Sequence, residues 1–258
     1  MFNKKQFCVL SILTMIFLLL PCCKDQNRNE NKSETIKIGT CADYPPFEFY
    51  SDGVIIGFEI EIGKLICEKL GKKAVFEDMP FNSILAALQN GTVDIAISAF
   101  DATPEREKNF DFSTPYYKGT FAFVYKKGNS VKTRKQASGK KITCQLGSFP
   151  ERWIKKSIPD AEVISMDNIG TAIESLKAGH TDCIFQDTIV AKNFCKENPE
   201  LEYSVVLEAA NDYDCGSGMA LVIPKGSYIK KEKINEILSE PESVKKVQEL
   251  KKEWDLLD

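Results

Sequence analysis

The sequence contains a single histidine, His180, and no C-x-x-C motif, although it has nine cysteines. Zinc sites need several His or Cys ligands at short spacings, so we expect neither a metal site nor a cofactor. Six cysteines follow residue 35 at wide spacings: Cys41, Cys67, Cys144, Cys183, Cys195 and Cys215. Several stand in apolar patterns, which favours buried free thiols. An exported location would permit disulfides, and Cys195 with Cys215 is then the first pair to examine.

A basic stripe interleaved with aromatic residues is also missing. The formal net charge is −3, and Lys and Glu alternate through the helix-like stretches. This distribution lacks the electrostatic footprint of a nucleic-acid-binding protein, so we expect no nucleic-acid partner. The apolar fraction of 43% is ordinary for a globular chain. About 220 residues follow the N-terminal segments, enough for one large domain or two lobes.

The N-terminus carries an apolar run, Phe7–Leu20, behind two lysines. The run is too short for a comfortable membrane span and is typical of a signal peptide. It ends in the letters LPCC, which resemble a bacterial lipobox, where a cysteine is acylated and becomes the mature N-terminus. We therefore predict a lipoprotein signal peptide over residues 1–23, with acylation at Cys23 and with Cys22 as the alternative. An ordinary cleaved signal peptide or an uncleaved anchor are the other interpretations.

Residues 24–35, KDQNRNENKSET, contain no large apolar side chain. Such a segment cannot bury enough surface to order itself, and we interpret it as a flexible tether. Together with the predicted acylation, it places the protein on the periplasmic or cell-surface face of a bacterial membrane, held by its lipid anchor.

The remaining residues alternate between strand-like and helix-like patterns. Two prolines predict a loop at residues 44–47, and Ser83 is the predicted cap of the second helix. Strands are predicted at residues 35–40, 73–76, 93–98, 121–125, 141–145, 161–164, 182–185 and 219–223. Helices are predicted at residues 57–70, 83–89, 149–157, 170–178, 188–197, 228–238 and 243–256. The alternation indicates an α/β protein with largely parallel sheets covered by helices.

Two similar α/β units joined by extended crossings suggest two lobes with a cleft between them. In open α/β sheets, ligands bind beyond the carboxyl ends of the strands. That rule selects four turn-like segments, at residues 41–47, 98–106, 145–149 and 186–188.

Arg106 is the candidate anion-binding residue. It follows a buried strand in a turn where Thr103 can act as a helix N-cap and Pro104 suits a first helical position. A guanidinium fixed there matches a carboxylate in bidentate fashion. The alternative is an ordinary surface arginine.

Asp187 is the complementary candidate, because a carboxylate at a strand end could pair with an ammonium group. Locally, a simpler interpretation is that its side chain caps the helix that begins at Thr188. Tyr44 and Phe81 are loop aromatics that either wall a pocket or cover the core.

A series of short motifs runs through the chain from Ile36 to its C-terminus. In the first half they are CADYPPFE at 41–48, GFE at 57–59, LQNG at 88–91 with Asp94, TPER at 103–106, DFS at 111–113 and PYY at 115–117. In the second half they are GKK at 139–141, QLGS at 145–148, AG at 178–179 with Asp182, and QD at 186–187. In order and spacing the series closely resembles the polar amino-acid solute-binding proteins of ABC importers, arginine binders in particular.

The resemblance implies a type II periplasmic-binding-protein fold, with two α/β lobes, a ligand cleft and two hinge crossings. Lobe 1 would comprise residues 36–118 plus 215–258, and lobe 2 residues 122–211, with hinges near 118–121 and 211–214. It also implies a monomer without enzymatic activity that binds a free amino acid and delivers it to the permease subunits of an ABC transporter.

The resemblance further implies ligand contacts for individual residues. Arg106 would bind the ligand α-carboxylate, helped by backbone N–H groups near Ala99 and Phe149, and Asp187 would receive the α-ammonium. The remaining expected contacts are Tyr44 and Phe81, on the ligand side chain, and Ser148.

The type of amino acid follows from less regular positions. Asp101 stands where many relatives carry Ser or Thr, and it favours a cationic, arginine-like ligand. Cys41 stands where several binders of basic amino acids have an acidic residue, and Phe149 replaces a frequent Thr. Asp43 is the residue that would supply the missing charge near Cys41.

Three other functions are alternatives at this point. One is the sensory input lobe of a receptor, which would require a transmembrane or signalling region after the domain. Some proteins of this fold are enzymes that dehydrate amino-acid precursors, but His180 falls in a helix-to-strand turn away from the expected cleft, and no nucleophile–base pair accompanies it. A surface adhesin could also use the scaffold, since a fold does not fix a function.

Overall fold

The computed structural model describes residues 34–257. The predicted signal peptide, the acylation at Cys23 and nearly all of the tether lie outside the described residues. Within residues 34–257, no helix combines the length and the apolar character needed to cross a membrane.

Strands and helices alternate through most of this range. The strands are β1 Thr35–Thr40, β2 Asp43–Tyr44, β3 Glu48–Ser51, β4 Val54–Ile56, β5 Lys73–Asp78, β6 Ile95–Ala96, β7 Phe110–Phe112, β8 Phe121–Lys126, β9 Lys141–Gln145, β10 Glu162–Met166, β11 Cys183–Asp187, β12 Leu201–Val206 and β13 Val222–Pro224. The helices are α1 Phe58–Lys69, α2 Phe81–Gln89, α3 Pro104–Glu107, α4 Arg134–Ala137, α5 Phe149–Ser157, α6 Ile169–Ala178, α7 Thr188–Glu197, α8 Leu207–Ala210, α9 Lys231–Ser239 and α10 Pro241–Glu253.

The strands build two five-stranded sheets and one small sheet. The first sheet has the order β5-β1-β6-β13-β7, and the second has the order β10-β9-β11-β8-β12. In the first, β1 pairs in parallel with β5 and β6, whereas β13 runs antiparallel to β6 and β7. The chain therefore leaves the first sheet after β7, builds the second sheet, and returns to insert β13. Helices α9 and α10 then pack against α1.

Apolar side chains at helical spacing explain how the helices attach to the sheets. On α1, Phe58, Ile62 and Ile66 are fully buried in the main core cluster. Helix α6 buries Ile169 and Ile173 in the same way. These two helices were predicted from their spacing within one residue of the observed ends.

Of two N-caps predicted from the sequence, one is confirmed and one is wrong. Thr103 accepts the N–H of Arg106 as the predicted N-cap of α3, with Pro104 in the first turn. The predicted cap Ser83 is wrong, because α2 begins at Phe81 and Pro80 holds the N-cap position without a side-chain hydrogen bond. The Phe81 ring is buried against Phe100, and this packing draws the first turn of α2 inward ahead of Ser83.

The sequence interpretation missed several short strands. Residues 44–47 were expected to be a loop, but Tyr44 ends β2, the first strand of the small sheet β2-β3-β4. Strands of two to four residues are too short to show an alternating pattern. Strand β12 was also missed, and it pairs antiparallel with the aromatic strand β8.

All six described cysteines are free thiols, and all but Cys195 are buried. The suggested pair, Cys195 with Cys215, is not bonded. The burial of the other five cysteines fits the prediction of free thiols packed among apolar residues.

Gly57 fixes where α1 begins. The carbonyl groups of Pro46 and Phe47 accept the N–H groups of Phe58 and Glu59 at 3.0 and 2.9 Å, which satisfies two donors of the first turn. This approach requires φ +136° at Gly57, where a Cβ atom would lie 2.1 Å from the carbonyl oxygen of Phe47. Only glycine fits, since both the backbone angle and the space exclude a side chain.

We expect Gly57→Ala to destabilise the protein by about 3 kcal/mol or more, because it adds a backbone clash to an unfavourable φ. Gly53→Ala is the matched control, since Gly53 also has a positive φ but no atom within 4 Å of the added Cβ. It should cost only about 1–2 kcal/mol. Urea denaturation of both variants measures the difference, and equal losses would contradict the proposed clash.

Candidate functional site

The four predicted segments meet around one cavity between the two large sheets. Apart from Asp43, every residue expected from the sequence to contact the ligand lines this cavity. The lining residues are Cys41, Tyr44, Glu48, Phe81, Ser98, Ala99, Asp101, Arg106, Gln145, Ser148, Phe149, Pro150 and Asp187. Cys41, Ser98, Gln145 and Asp187 lie at or just beyond the carboxyl ends of strands in both large sheets, as the carboxyl-end rule predicts.

Arg106 is held rigidly in the cavity wall with 6% of its surface exposed. Its Nη1 donates to the carbonyl oxygen of Asp101 at 3.1 Å, and its Nη2 donates to that of Gly147 at 3.3 Å. The guanidinium carbon lies 5.6 and 5.0 Å from the ring centroids of Phe81 and Phe100, within cation–π range. A guanidinium has five N–H donors, so donors remain for an anion.

The charge of Arg106 is costly to bury. Burial is the main effect that lowers its pKa, to about 10, and the nearby positive charge of Arg152 lowers it further. Asp101 opposes this effect. The guanidinium therefore remains protonated at neutral pH, and it stays positioned to bind a carboxylate.

Asp187 ends β11 but does not act as the predicted helix cap. No hydrogen bond from α7 reaches its side chain. Instead, the Tyr44 hydroxyl donates to Asp187 Oδ2 at 2.7 Å, and the Asp187 N–H donates back to the Tyr44 oxygen at 3.3 Å. The capping interpretation was wrong because the partner that fixes this carboxylate is 143 residues away in sequence.

Both cavity carboxyl groups hold protons unusually tightly. Burial raises the pKa of Asp101 to about 7, against the opposing charge of Arg106. Burial and the neighbouring charge of Asp101 raise the pKa of Asp187 to about 8, although the hydrogen bond from Tyr44 opposes the shift. Asp101 and Asp187 thus lie in the same cavity as Arg106, where a positive ligand charge would favour their ionised forms.

A buried pair of glutamates, Glu48 and Glu59, supports the cavity from below. Ser98 Oγ donates to Glu48 Oε1 at 3.0 Å and accepts the Cys41 N–H at 3.1 Å. Glu59 accepts the Ala99 N–H at 2.6 Å and the Tyr116 hydroxyl at 2.5 Å. Both strand ends of the cavity floor are therefore fixed by carboxyl oxygens.

Burial raises the pKa of both glutamates. No donor reaches Glu48 Oε2 among the described residues, while burial and the charge of Glu59 raise the pKa of Glu48 well above its ordinary value. A neutral Glu48 explains both observations, because its carboxyl proton is then donated to Glu59. The Ala99 N–H is consumed by Glu59, so the backbone donor expected near Ala99 is not that of Ala99 itself.

Some site residues were missed as individuals. Ser98 and Gln145 stood in the predicted segments without being singled out, and Glu48 was quoted only as part of a motif. The local sequence does not indicate that the carboxylate of Glu48, which follows a proline-rich turn, is buried. Asp43, in contrast, was expected to contact the ligand but does not line the cavity, and its carboxylate accepts the Ile169 N–H at 2.8 Å.

Residues 36–256 match the family described as bacterial extracellular solute-binding proteins, family 3. The arginine-binding extracellular protein ArtP of Bacillus subtilis is 32% identical over 253 residues, which cover 97% of this chain and 98% of that protein. The ABC transporter arginine-binding protein 1 of Escherichia coli is 31% identical over 224 residues, 86% of this chain and 91% of that protein.

A solved structure titled an ancestral arginine-binding protein bound to arginine has a TM-score of 0.79 and 35% identity, covering 86% of this chain and 98% of that one. The predicted fold class is thereby confirmed, with two α/β lobes and a cleft.

We expect the free energy of unfolding of the unliganded protein to fall as the pH rises from 5 to 8. The folded-state pKa values of Asp101 and Asp187, about 7 and about 8, lie above their ordinary value of 3.8. The folded state therefore binds more protons than the unfolded state in this interval, and that stabilisation is lost on deprotonation. Urea denaturation across the interval measures the slope.

Two variants test the assignment of this slope. Asp187→Asn stays neutral and should flatten the upper part of the curve, whereas Glu249→Gln removes an exposed carboxylate and should leave the slope unchanged. Stability that is constant or rises between pH 5 and 8 would contradict the raised pKa values.

Proposed function

The chain belongs to the bacterial extracellular solute-binding proteins, family 3, and we propose that its solute is a free cationic, arginine-like amino acid, which it delivers to the permease of an ABC transporter. It is a binding protein and not an enzyme. The observation that carries the proposal is the single cavity that Arg106 and Asp187 line from the sides of the two different sheets.

The two charges match the two charges that all free amino acids share. In this proposal the guanidinium of Arg106 binds the α-carboxylate, and the carboxylate of Asp187 binds the α-ammonium. The other contacts come from Tyr44 and Phe81 along the ligand side chain, and from Ala99, Ser148, Phe149 and Cys41. A buried ligand charge is tolerated only when it is fully paired, so a ligand with one of the two groups missing should bind poorly.

Two observations support a cationic side chain. Asp101 adds a second carboxyl group to the cavity, so one guanidinium faces two acids, and an arginine-like ligand with a net charge of +1 would balance them. The relatives named above carry arginine in their names, one of them with arginine bound. Cys41 offers no charge, so Asp101 is the proposed partner of the ligand cation.

We infer that lobe 1 comprises residues 36–118 plus 215–258 and lobe 2 residues 122–211, hinged near 118–121 and 211–214. Neither lobe satisfies both main-chain charges of the ligand. Ligand therefore favours the closed arrangement through its differential affinity for that state.

The extracellular location is a property of the family. We propose in addition that residues 1–23 are a lipoprotein signal peptide, that Cys23 carries the lipid, and that residues 24–35 tether a monomeric binding domain to the membrane. The tethered binding domain would then be free to move between the solute and the permease.

We expect arginine, lysine or ornithine to raise the melting temperature of the soluble protein Asp25–Asp258 more than the other amino acids do. A ligand that binds only the folded state stabilises it by mass action. A thermal-shift screen over the amino acids, with citrulline as the neutral analogue of arginine, measures this preference. A larger shift with a neutral or acidic amino acid would discard the cationic specificity, and no shift at all would favour the adhesin alternative.

We expect Arg106→Ala to lose about 2–5 kcal/mol of ligand binding free energy, mostly because the buried ligand carboxylate is left unpaired. Arg134→Ala is the matched control, since Arg134 forms only an exposed ion pair with Glu208. Isothermal titration calorimetry measures both, and cooperative unfolding shows that each variant is folded. Wild-type affinity in Arg106→Ala would overturn the assigned role.

A further inference from the structure

Asp43 is bound by two donors that belong to the other side of the cleft. It follows β1 of the first sheet, and its Oδ2 accepts the Ile169 N–H at 2.8 Å. Its Oδ1 accepts the side-chain amide of Gln145 at 3.4 Å and the Cys41 thiol at 3.3 Å. Ile169 begins α6 and Gln145 ends β9, so both elements are attached to the second sheet.

The contact with Ile169 completes the start of α6. The first N–H groups of a helix have no partner within the helix. Asn168 satisfies one of them, because its Oδ1 accepts the Thr171 N–H at 3.0 Å. Asp43 supplies the second acceptor from the opposite side of the cleft. It is also the charged one, and a negative charge is stabilised at a helix N-terminus.

We propose that Asp43 is a closure latch, a positioning residue that raises ligand affinity by stabilising the closed cleft without touching the ligand. This inference rests on the solute-capture function proposed above. Asp43 does not line the cavity. When the lobes separate, its carboxylate must exchange the Ile169 N–H and the Gln145 amide for water, so the two contacts exist only in the closed arrangement.

Other contacts across the cleft are weaker candidates for this role. The ion pair between Arg152 Nε and Glu105 Oε2 spans 3.2 Å, with side chains 34% and 70% exposed. The pair between Lys192 and Asp255 spans 2.8 Å, with side chains 48% and 76% exposed. Exposed ion pairs of this kind contribute little to the stability of the closed cleft.

The carboxylate of Asp43 is more shielded from solvent. Burial is the main effect that raises its pKa, and the hydrogen bond from Ile169 opposes that shift. A charge-assisted hydrogen bond in such a place is stronger than a neutral one. The bond between Tyr44 and Asp187 also crosses the cleft, but both residues line the cavity and would change their contacts when ligand enters.

A latch and a ligand contact have different signatures. The apparent dissociation constant equals the intrinsic constant divided by the fraction of closed-competent protein. A weakened latch lowers that fraction for every ligand alike. It therefore weakens the binding of arginine and the binding of lysine by the same factor, whereas loss of a ligand contact changes the ratio of their dissociation constants.

The test compares Asp43→Asn with Asp255→Asn in the protein Asp25–Asp258. The two changes are chemically identical, but Asp255 lies in the exposed pair with Lys192. We expect Asp43→Asn to weaken arginine and lysine by the same factor, about tenfold or more. The loss should arise from faster dissociation in stopped-flow measurements, with Asp255→Asn within about twofold of wild type. Both variants should keep the melting temperature of the unliganded wild type, which a purely structural role of Asp43 would lower.

Small-angle X-ray scattering supplies a readout that does not require binding. Asp43→Asn should increase the radius of gyration relative to wild type under the same conditions, and Asp255→Asn should not. Unchanged affinity together with an unchanged scattering profile would overturn the latch, as would a change in the arginine-to-lysine ratio. If the wild type binds no amino acid, the proposed function fails, and the scattering comparison alone decides the latch.

Discussion

The buried guanidinium of Arg106 is the charge on which the arrangement of the cavity depends. A cation removed from water must be compensated by acceptors around it. The protein supplies the carbonyl oxygens of Asp101 and Gly147 and the faces of two phenylalanine rings. These partners hold the guanidinium but do not use all five of its N–H donors. In the proposed function, the carboxylate of a ligand completes the set.

The acid pair Glu48 and Glu59 serves the same cavity from the opposite direction. Carboxyl groups this deeply buried would be expensive if both were ionised. Burial raises the pKa of both, and their oxygens accept hydrogen bonds from Ser98 Oγ, from the Ala99 N–H and from the Tyr116 hydroxyl. The floor of the cleft is therefore fixed by hydrogen bonds within the protein itself.

Much of this arrangement could be predicted from the sequence, for physical reasons. Helices α1 and α6 bury one face, so the spacing of their apolar residues predicts them. The rule that ligands bind beyond the carboxyl ends of strands places Arg106 and Asp187 near one another, although no contact between them can be read from the sequence. Local patterns fail where a partner is distant in sequence. From the local sequence Asp187 resembles a helix cap, but its carboxylate accepts a hydrogen bond from Tyr44. Asp43 resembles a ligand contact, but its carboxylate accepts the Ile169 N–H. The hairpin sheet β2-β3-β4 is missed because its strands are too short to alternate.

The insertion of β13 into the first sheet has a consequence in time. Strand β7 pairs with β13 in the described sheet, and β13 lies 110 residues further along the register from Phe112 to Val222. A chain that emerges N-terminus first therefore completes the strands of the second sheet while β6 and β7 still lack their shared neighbour. Until β13 arrives, the first lobe presents unpaired strand edges, which makes it the part most exposed to misassembly. Arg106, which lies between β6 and β7 in the chain, thus belongs to the part of the first sheet that is completed only by β13.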